Sequence, residues 1–209
     1  AGKHVYVQKP LTRTVSEARA LTEAARKYKV VSQMGNQGHS GEGVRLIEEW
    51  ITDGAIGKVH EVHCWTNRPI WPQGMQRPTD TPPVPDGLDW DLWIGPAPMR
   101  PYHPAYHPVS WRAWQDFGCG ALGDMACHVM DAAYQSLKLG YPTSVTTYLA
   151  YNVIPRPDSP WGARVKYNDS FPPATMIHYT FPARGKKFPE LKLHWYDGGL
   201  LPERPEELE

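Results

Sequence analysis

The chain has 209 residues, 41% of them hydrophobic, and its 22 basic residues balance 22 acidic residues to a formal net charge of zero. This composition excludes a disordered polyelectrolyte and gives no electrostatic reason to expect binding to nucleic acid. No apolar run is long enough to cross a bilayer, so no membrane-spanning segment is predicted. The odd number and uneven spacing of the cysteines argue against a disulfide framework and against a four-cysteine zinc site. They are predicted to be buried thiols: Cys64, Cys119 and Cys127.

The first 55 residues alternate between strand and helix patterns. Short β-branched and aromatic runs at residues 4–7 and 30–34 predict two strands. Thr14 to Glu17 matches a capping box and predicts the start of an intervening helix. A second helix follows, with its inner face predicted to carry Val44, Ile47, Trp50 and Ile51. The order indicates a parallel α/β unit too short to be a complete doubly wound sheet, with a domain boundary near Gly38.

The pattern of predicted secondary structure changes in the rest of the chain. Residues 58–66 alternate as a half-buried strand does, and a loop with eleven prolines covers residues 69–108. Trp71, Trp90 and Trp93 predict that this loop is a folded cover rather than disordered. Strands are predicted at 143–153, 175–181 and 191–196 with no helices between them, which favours an antiparallel sheet in an α+β domain.

A glycine-rich stretch at residues 118–123 leads into a predicted helix that runs to about Leu139. One face of this helix carries an apolar stripe: Leu122, Met125, Val129, Ala133 and Leu137. Another face aligns Asp124, His128 and Asp131 at positions i, i+4 and i+7. A carboxylate one turn from an imidazole can fix its tautomer for proton transfer. The alternative is an exposed polar face with an ordinary histidine.

Other polar residues offer binding chemistry at predicted strand ends and loops. Lys9 follows the first strand and could stabilise a developing alkoxide, or could be a solvated surface lysine. Asn36 and Gln37 follow the second strand and could bind a ligand or close a turn. Trp111 and Arg112 could clamp a phosphate or a nicotinamide amide, or could form a stacked surface pair.

No metal site is predicted. His103 and His107 have the spacing of a helical metal pair, but prolines at 101, 104 and 108 break such a helix. A loop that contacts substrate or a neighbouring subunit explains this repeat better. The chain also contains no glycine-rich dinucleotide motif, no P-loop and no nucleophile-elbow motif.

Taken together, residues 2–11, 56–59, 111–112 and 120–131 resemble the glucose–fructose oxidoreductase, inositol dehydrogenase and rhizopine catabolism (Gfo/Idh/MocA) oxidoreductases. The resemblance implies an α/β remnant of a Rossmann-type domain, followed by an α+β domain with a large, mostly antiparallel sheet. It also implies NAD or NADP as cofactor and a homo-oligomer joined through that sheet. On this basis residues 1–38 are the end of the dinucleotide-binding domain, and residues 39–209 are an incomplete substrate and oligomerisation domain.

The resemblance also implies roles for individual residues. Lys9 corresponds to the lysine that reaches substrate and nicotinamide, His128 to the proton-transferring histidine, and Asp124 to its associated carboxylate. Cofactor contacts are implied at Lys9, Pro10, Asn36, Gln37, Trp111 and Arg112. Gln8 departs from the family pattern, which commonly has glutamate there, so a local negative charge is lost.

The sequence therefore predicts part of an NAD(P)-dependent dehydrogenase acting on a sugar, polyol or derivative. The chain begins without an initiator methionine and lacks the glycine-rich cofactor loop, so we expect a middle piece that is inactive alone and does not bind NADH. One alternative is a glycosidase that acts by NAD-dependent oxidation and elimination. Another is a non-catalytic oligomerising or sugar-binding domain.

Overall fold

The computed structural model describes residues 2–165 and 168–206. It opens with two parallel strands, β1 (Val5–Gln8) and β2 (Ser32–Gly35), connected by the helix α1 (Val15–Tyr28). This arrangement confirms the strand–helix–strand order predicted for the start of the chain. The carboxyl ends of both strands lie at one edge of the pair, where Lys9 and Asn36 follow them.

The predicted capping box starts α1. The Glu17 amide donates to Thr14 Oγ1 at 3.3 Å, and the Thr14 amide donates to the Glu17 carboxylate at 3.0 Å. No residue of α1 is buried, and its apolar side chains Leu21 and Tyr28 are 48% and 56% exposed. With apolar side chains of β1, they line an open groove of about 500 Å³.

The second helix, α2 (Glu42–Asp53), follows a 3-10 turn at Gln37–Ser40. Ile51 packs on the core beneath α2, as predicted for its inner face. Ile47 and Trp50 are 40% and 58% exposed, so their placement on that face was wrong. The strand β3 (Glu61–Trp65) comes next.

The proline-rich loop has a hydrophobic core of its own and includes the short helix α3 (Trp90–Ile94). Trp90 stacks on Trp93 with ring centroids 4.7 Å apart, and its indole N–H donates to the Arg100 carbonyl at 2.7 Å. The buried members of this cluster are Trp71, Trp90, Ile94, Tyr102, Tyr106, Ala113 and Trp114. The prediction of a folded cover is confirmed.

The predicted long helix is two helices, α4 (Gly120–Val129) and α5 (Asp131–Ser136). Met130 between them keeps right-handed helical angles, so the apolar periodicity continues across the boundary and does not reveal it. The second helix ends before Leu139 because Lys138 adopts a left-handed φ of 52°. The Leu139 amide then donates to the Tyr134 carbonyl at 3.0 Å, which closes the helix end.

The main sheet has four strands in the order β3-β8-β7-β4. Antiparallel pairs join β4 (Ser144–Leu149) to β7 (Thr175–Phe181) and β7 to β8 (Leu191–Tyr196), as predicted for these segments. The pair β3–β8 is parallel, so the sheet is mixed. The strand predicted at 143–153 was too long, because β4 ends at Leu149 and a hairpin of β5 (Val153–Arg156) and β6 (Ser159–Arg164) begins after it.

The helices α4 and α5 cover one face of this sheet. Cys64, Ile177 and Trp195 on the sheet contact Leu122, Met125 and Val129 of α4, which confirms the predicted apolar stripe. A second cluster joins Leu137 and Leu139 to Phe181, Leu191 and Leu193. The core therefore packs α4 against the sheet.

The three cysteines are free thiols. Cys64 is buried, and burial raises its pKa to about 11. Cys119 and Cys127 are only partly buried, so the prediction of three buried thiols was right for Cys64 alone. In the described part of the chain, no helix combines the length and apolar character needed to span a membrane.

Candidate functional site

The candidate site lies where the end of β1 meets α4. Lys9 Nζ donates to the carbonyl oxygen of Asp124 at 2.8 Å and to its carboxylate Oδ1 at 3.1 Å. The two side chains are only 19% and 12% exposed, and Pro10 beside them is partly buried. The structure thus joins two predicted catalytic residues that are 115 positions apart, and Lys9 is not a solvated surface lysine.

Arg112 is the second cation on the same carboxylate. Its Nε lies 3.3 Å from Asp124 Oδ1, and its Cζ lies 4.5 Å from the Trp111 ring centroid and 5.6 Å from that of Trp71. Two formal positive charges therefore share one negative charge. Such an arrangement favours an oxyanion that forms beside Lys9. Trp111 also lines a cleft of about 470 Å³ that includes Arg13 and Phe117.

His128 lies one helical turn beyond Asp124 and is partly buried. No hydrogen bond joins its ring to any described residue, because Asp124 Oδ1 instead accepts from Lys9 and Arg112. Burial and the Lys9 ammonium lower the pKa of His128 below its usual 6.5, and Asp124 and Asp131 offset only part of this effect. The imidazole is therefore neutral at pH 7 and can accept a proton.

The segment after β2 contacts the same helices. Asn36 Nδ2 donates to the Cys127 carbonyl at 2.5 Å, whereas Asn36 Oδ1 is enclosed without a hydrogen-bond partner in the described chain. Asp131 is 2.8 Å from His39 Nδ1, a pairing that the sequence did not indicate. Gln37 is exposed. Of the two predicted amides, only Asn36 is held against the site.

The two histidines of the proline-rich loop have separate partners. His103 Nδ1 accepts from the Ala105 amide at 3.0 Å, and its Nε2 is 3.3 Å from Asp80. His107 packs edge-on against Trp93 with ring centroids 5.6 Å apart. Neither histidine takes part in the Lys9–Asp124–Arg112 cluster.

The glycine-rich stretch permits close packing around Arg112. A Cβ at Gly118 would lie 2.6 Å from Arg112 Cα, a distance that real Cβ contacts do not show. Gly120 has a φ of +64°, which residues other than glycine rarely adopt. A Cβ at this position would also lie only 2.6 Å from the ring of Phe171. The glycines thus serve backbone packing before α4.

Gly118→Ala should displace Arg112 and lower the free energy of unfolding by about 1–3 kcal/mol, as overpacking does. The matched control is Gly43→Ala in α2, where a Cβ would meet nothing within 4 Å. That change should be neutral or stabilising by about 0.5–1 kcal/mol. Urea unfolding of both variants measures the difference, and equal free energies would contradict the packing described for Gly118.

Asp124→Asn should destabilise the fold by about 3 kcal/mol, because Lys9 and Arg112 are then left together without a counter-charge in a shielded place. Asp158→Asn is the control, since its ion pair with Arg156 is 2.7 Å long but more than half exposed on both sides. Its loss should change stability by less than about 1 kcal/mol. Urea unfolding at neutral pH distinguishes the two, and a similar small effect at both positions would refute the role of Asp124.

Residues 47–145 match the family model described as "Oxidoreductase family, C-terminal alpha/beta domain". The matched segment runs from α2 into β4 and includes Arg112, Asp124 and His128. Lys9 and Asn36 precede it.

Two further comparisons involve levoglucosan dehydrogenase. The protein from Pseudarthrobacter phenanthrenivorans (strain DSM 18606 / JCM 16027 / LMG 23796 / Sphe3) is 29% identical over 134 residues, which cover 64% of this chain and 26% of that protein. The solved structure of levoglucosan dehydrogenase in its apo form superposes with a TM-score of 0.55 at 23% identity, covering 94% of this chain and 42% of that chain.

Other solved structures share the fold. The NAD binding oxidoreductase from Klebsiella pneumoniae gives a TM-score of 0.54 at 21% identity, covering 93% of this chain and 41% of that chain. A super-repressor mutant of Gal80p from Saccharomyces cerevisiae gives 0.56 at 15% identity, with coverages of 96% and 43%. The chain therefore spans about a quarter of the curated relative and about two fifths of these solved structures.

Proposed function

Because residues 47–145 match the C-terminal domain model of the Gfo/Idh/MocA oxidoreductases, we propose that this chain forms part of an NAD(P)-dependent dehydrogenase that acts on a sugar, polyol or derivative. The observation that carries the proposal is the shielded contact of Lys9 with Asp124, one helical turn from the neutral His128. The similarity to levoglucosan dehydrogenase, which has been solved in complex with NADH and levoglucosan, supports a nicotinamide cofactor and a sugar substrate.

The chain's own residues supply proton transfer and charge stabilisation. His128 accepts the proton of the substrate hydroxyl, since its lowered pKa keeps it neutral at pH 7. Lys9 donates a hydrogen bond to the developing alkoxide, and Asp124 holds Lys9 in place. The oxidised nicotinamide, when bound, supplies the hydride acceptor for the carbinol carbon.

We propose that a nicotinamide binds at the end of the β1–β2 pair. Asn36 Oδ1 is an acceptor without a partner in the described chain, and the carboxamide of a nicotinamide offers an N–H donor. We propose that Asn36, Pro10 and the Trp111–Arg112 pair lie beside the ring, with Gln37 farther out.

The test is an assay of the full-length protein with NAD⁺ or NADP⁺ and a panel of sugars, polyols and anhydrosugars. Reduced nicotinamide should form with at least one substrate class. Release of free sugar from a glycoside without net reduced cofactor would replace the proposal with the oxidation–elimination glycosidase. No reaction with either cofactor would favour a non-catalytic role.

A further inference from the structure

The sheet face opposite α4 carries three histidines side by side. His63 on β3 pairs with His194 on β8, and His194 pairs with His178 on β7. Successive side chains of a strand point to opposite faces, and the neighbours Cys64 and Trp195 pack under α4. The three imidazoles therefore lie together on the other face, on adjacent strands.

Glu61 adds a carboxylate to this group. Its Oε1 lies 3.2 Å from His63 Nε2 and 3.0 Å from His194 Nε2. One ligand atom from each of the three residues lies within 4.8 Å of the other two. A tetrahedral ion with bonds of about 2.0–2.1 Å places neighbouring ligand atoms about 3.3 Å apart. The two distances from Glu61 Oε1 are close to this spacing. A small tilt of the stacked His63 and His194 rings would bring their Nε2 atoms closer together.

His194 points to a missing ligand. Its side chain is 10% exposed, and neither ring nitrogen makes a hydrogen bond that meets the geometric criteria in the described chain, although Nε2 lies 3.0 Å from Glu61 Oε1. Buried polar atoms are almost always satisfied, so such a ring needs an explanation. His178 Nε2 is also enclosed without a partner, and the His178 and His194 ring centroids are 4.4 Å apart.

The Tyr196 hydroxyl orients the imidazole of His63. The Tyr196 hydroxyl lies 3.1 Å from His63 Nδ1, so this nitrogen can act as the donor, which leaves the lone pair of Nε2 available to a metal ion. Metal-binding histidines usually have such a partner on their other nitrogen.

We propose that Glu61, His63 and His194 form a binding site for a divalent transition-metal ion of the Zn²⁺ type, with a water as fourth ligand. Two imidazoles and one carboxylate suit this ion better than Mg²⁺ or Ca²⁺, which prefer oxygen ligands. The ion would join β3 to β8, the parallel pair of the sheet. The site is distinct from the Lys9–Asp124 site and does not depend on the proposed dehydrogenase function.

The test uses Zn²⁺ and Co²⁺ with the 209-residue chain after treatment with a chelator. Calorimetry should show saturable binding of one Zn²⁺ per chain, and bound Co²⁺ should show the visible absorption of a tetrahedral site. His63→Gln and Glu61→Gln should each weaken Zn²⁺ binding by about 100-fold or more, beyond the roughly 10–100-fold lost when a residue that only hydrogen-bonds a metal ligand is replaced. Both side chains are at least one third exposed, so the variants should keep the wild-type Tm without metal.

His60→Gln is the matched control, because His60 precedes the same strand and is exposed. It should bind Zn²⁺ as the wild type does. Absence of saturable binding in the wild type, or equal weakening by His60→Gln and His63→Gln, would overturn the proposal. A loss of stability in Glu61→Gln without any Zn²⁺ binding in the wild type would also overturn it, since Glu61 would then be an ion-pair partner of the histidines only.

Discussion

His128→Asn in the full-length protein should lower kcat by about 10²–10⁴-fold, the contribution usual for a positioned acid–base group. Asparagine keeps a polar group on the same carbon but is smaller and cannot accept the substrate proton. Affinity for the cofactor should change little, because the proposed nicotinamide contacts come from Asn36 and the Trp111–Arg112 pair. Steady-state kinetics together with cofactor titration measure the two effects separately.

The pH profile provides a second readout of the same prediction. The neutral form of His128 is required, and its pKa is lowered by burial and by Lys9, so activity in the wild type should fall only below pH 6.5. His60→Asn, an exposed histidine away from the site, should leave kcat unchanged. Full activity of the His128→Asn enzyme would remove His128 from the mechanism.

Lys9→Met should lower kcat by about 10²–10³-fold, the effect of losing one donor to a developing oxyanion. It should also raise the pKa of His128, because the Lys9 ammonium is one of the two causes that lower it. Asp124 keeps Arg112 as a partner in this variant, so its carboxylate is not left unpaired. Titration of the His128 imidazole by NMR in the 209-residue chain measures this change in pKa without any substrate.

Lys58→Met is the control for this charge change, since Lys58 is exposed at the start of the segment before β3. It should alter neither kcat nor the pKa of His128. An unchanged His128 pKa in the Lys9 variant would mean that the two groups do not share one site. An unchanged kcat in the Lys9→Met enzyme would remove Lys9 from the mechanism.

Local signals in the sequence predicted local structure well. The Thr14–Glu17 capping box needs only contacts within one turn, and α1 starts where it indicates. The spacing of Asp124 and His128 correctly placed both residues on one helix. It did not predict the partners of Asp124, because Lys9 and Arg112 reach the carboxylate from other parts of the chain and compete with the imidazole.

The sequence did not predict which distant strands pair with each other. The parallel contact of β3 with β8 joins segments more than a hundred residues apart, and no turn residue between them sets the register. The alternation of β3 indicates that Glu61 and His63 share a face, but only the register brings His194 beside them. The sequence also did not predict the Asn36–Cys127 contact, because an amide at a strand end is equally typical of a turn.

The most direct test of the central claim follows the hydride. The full-length protein is given NAD⁺ or NADP⁺ and a sugar substrate that carries deuterium on the carbinol carbon to be oxidised. We expect the deuterium to appear in the nicotinamide ring of the reduced cofactor, in an amount equal to that of the keto product. In the His128→Asn variant this transfer should be far slower. Turnover of the substrate with no deuterium in released reduced cofactor would contradict the dehydrogenase account.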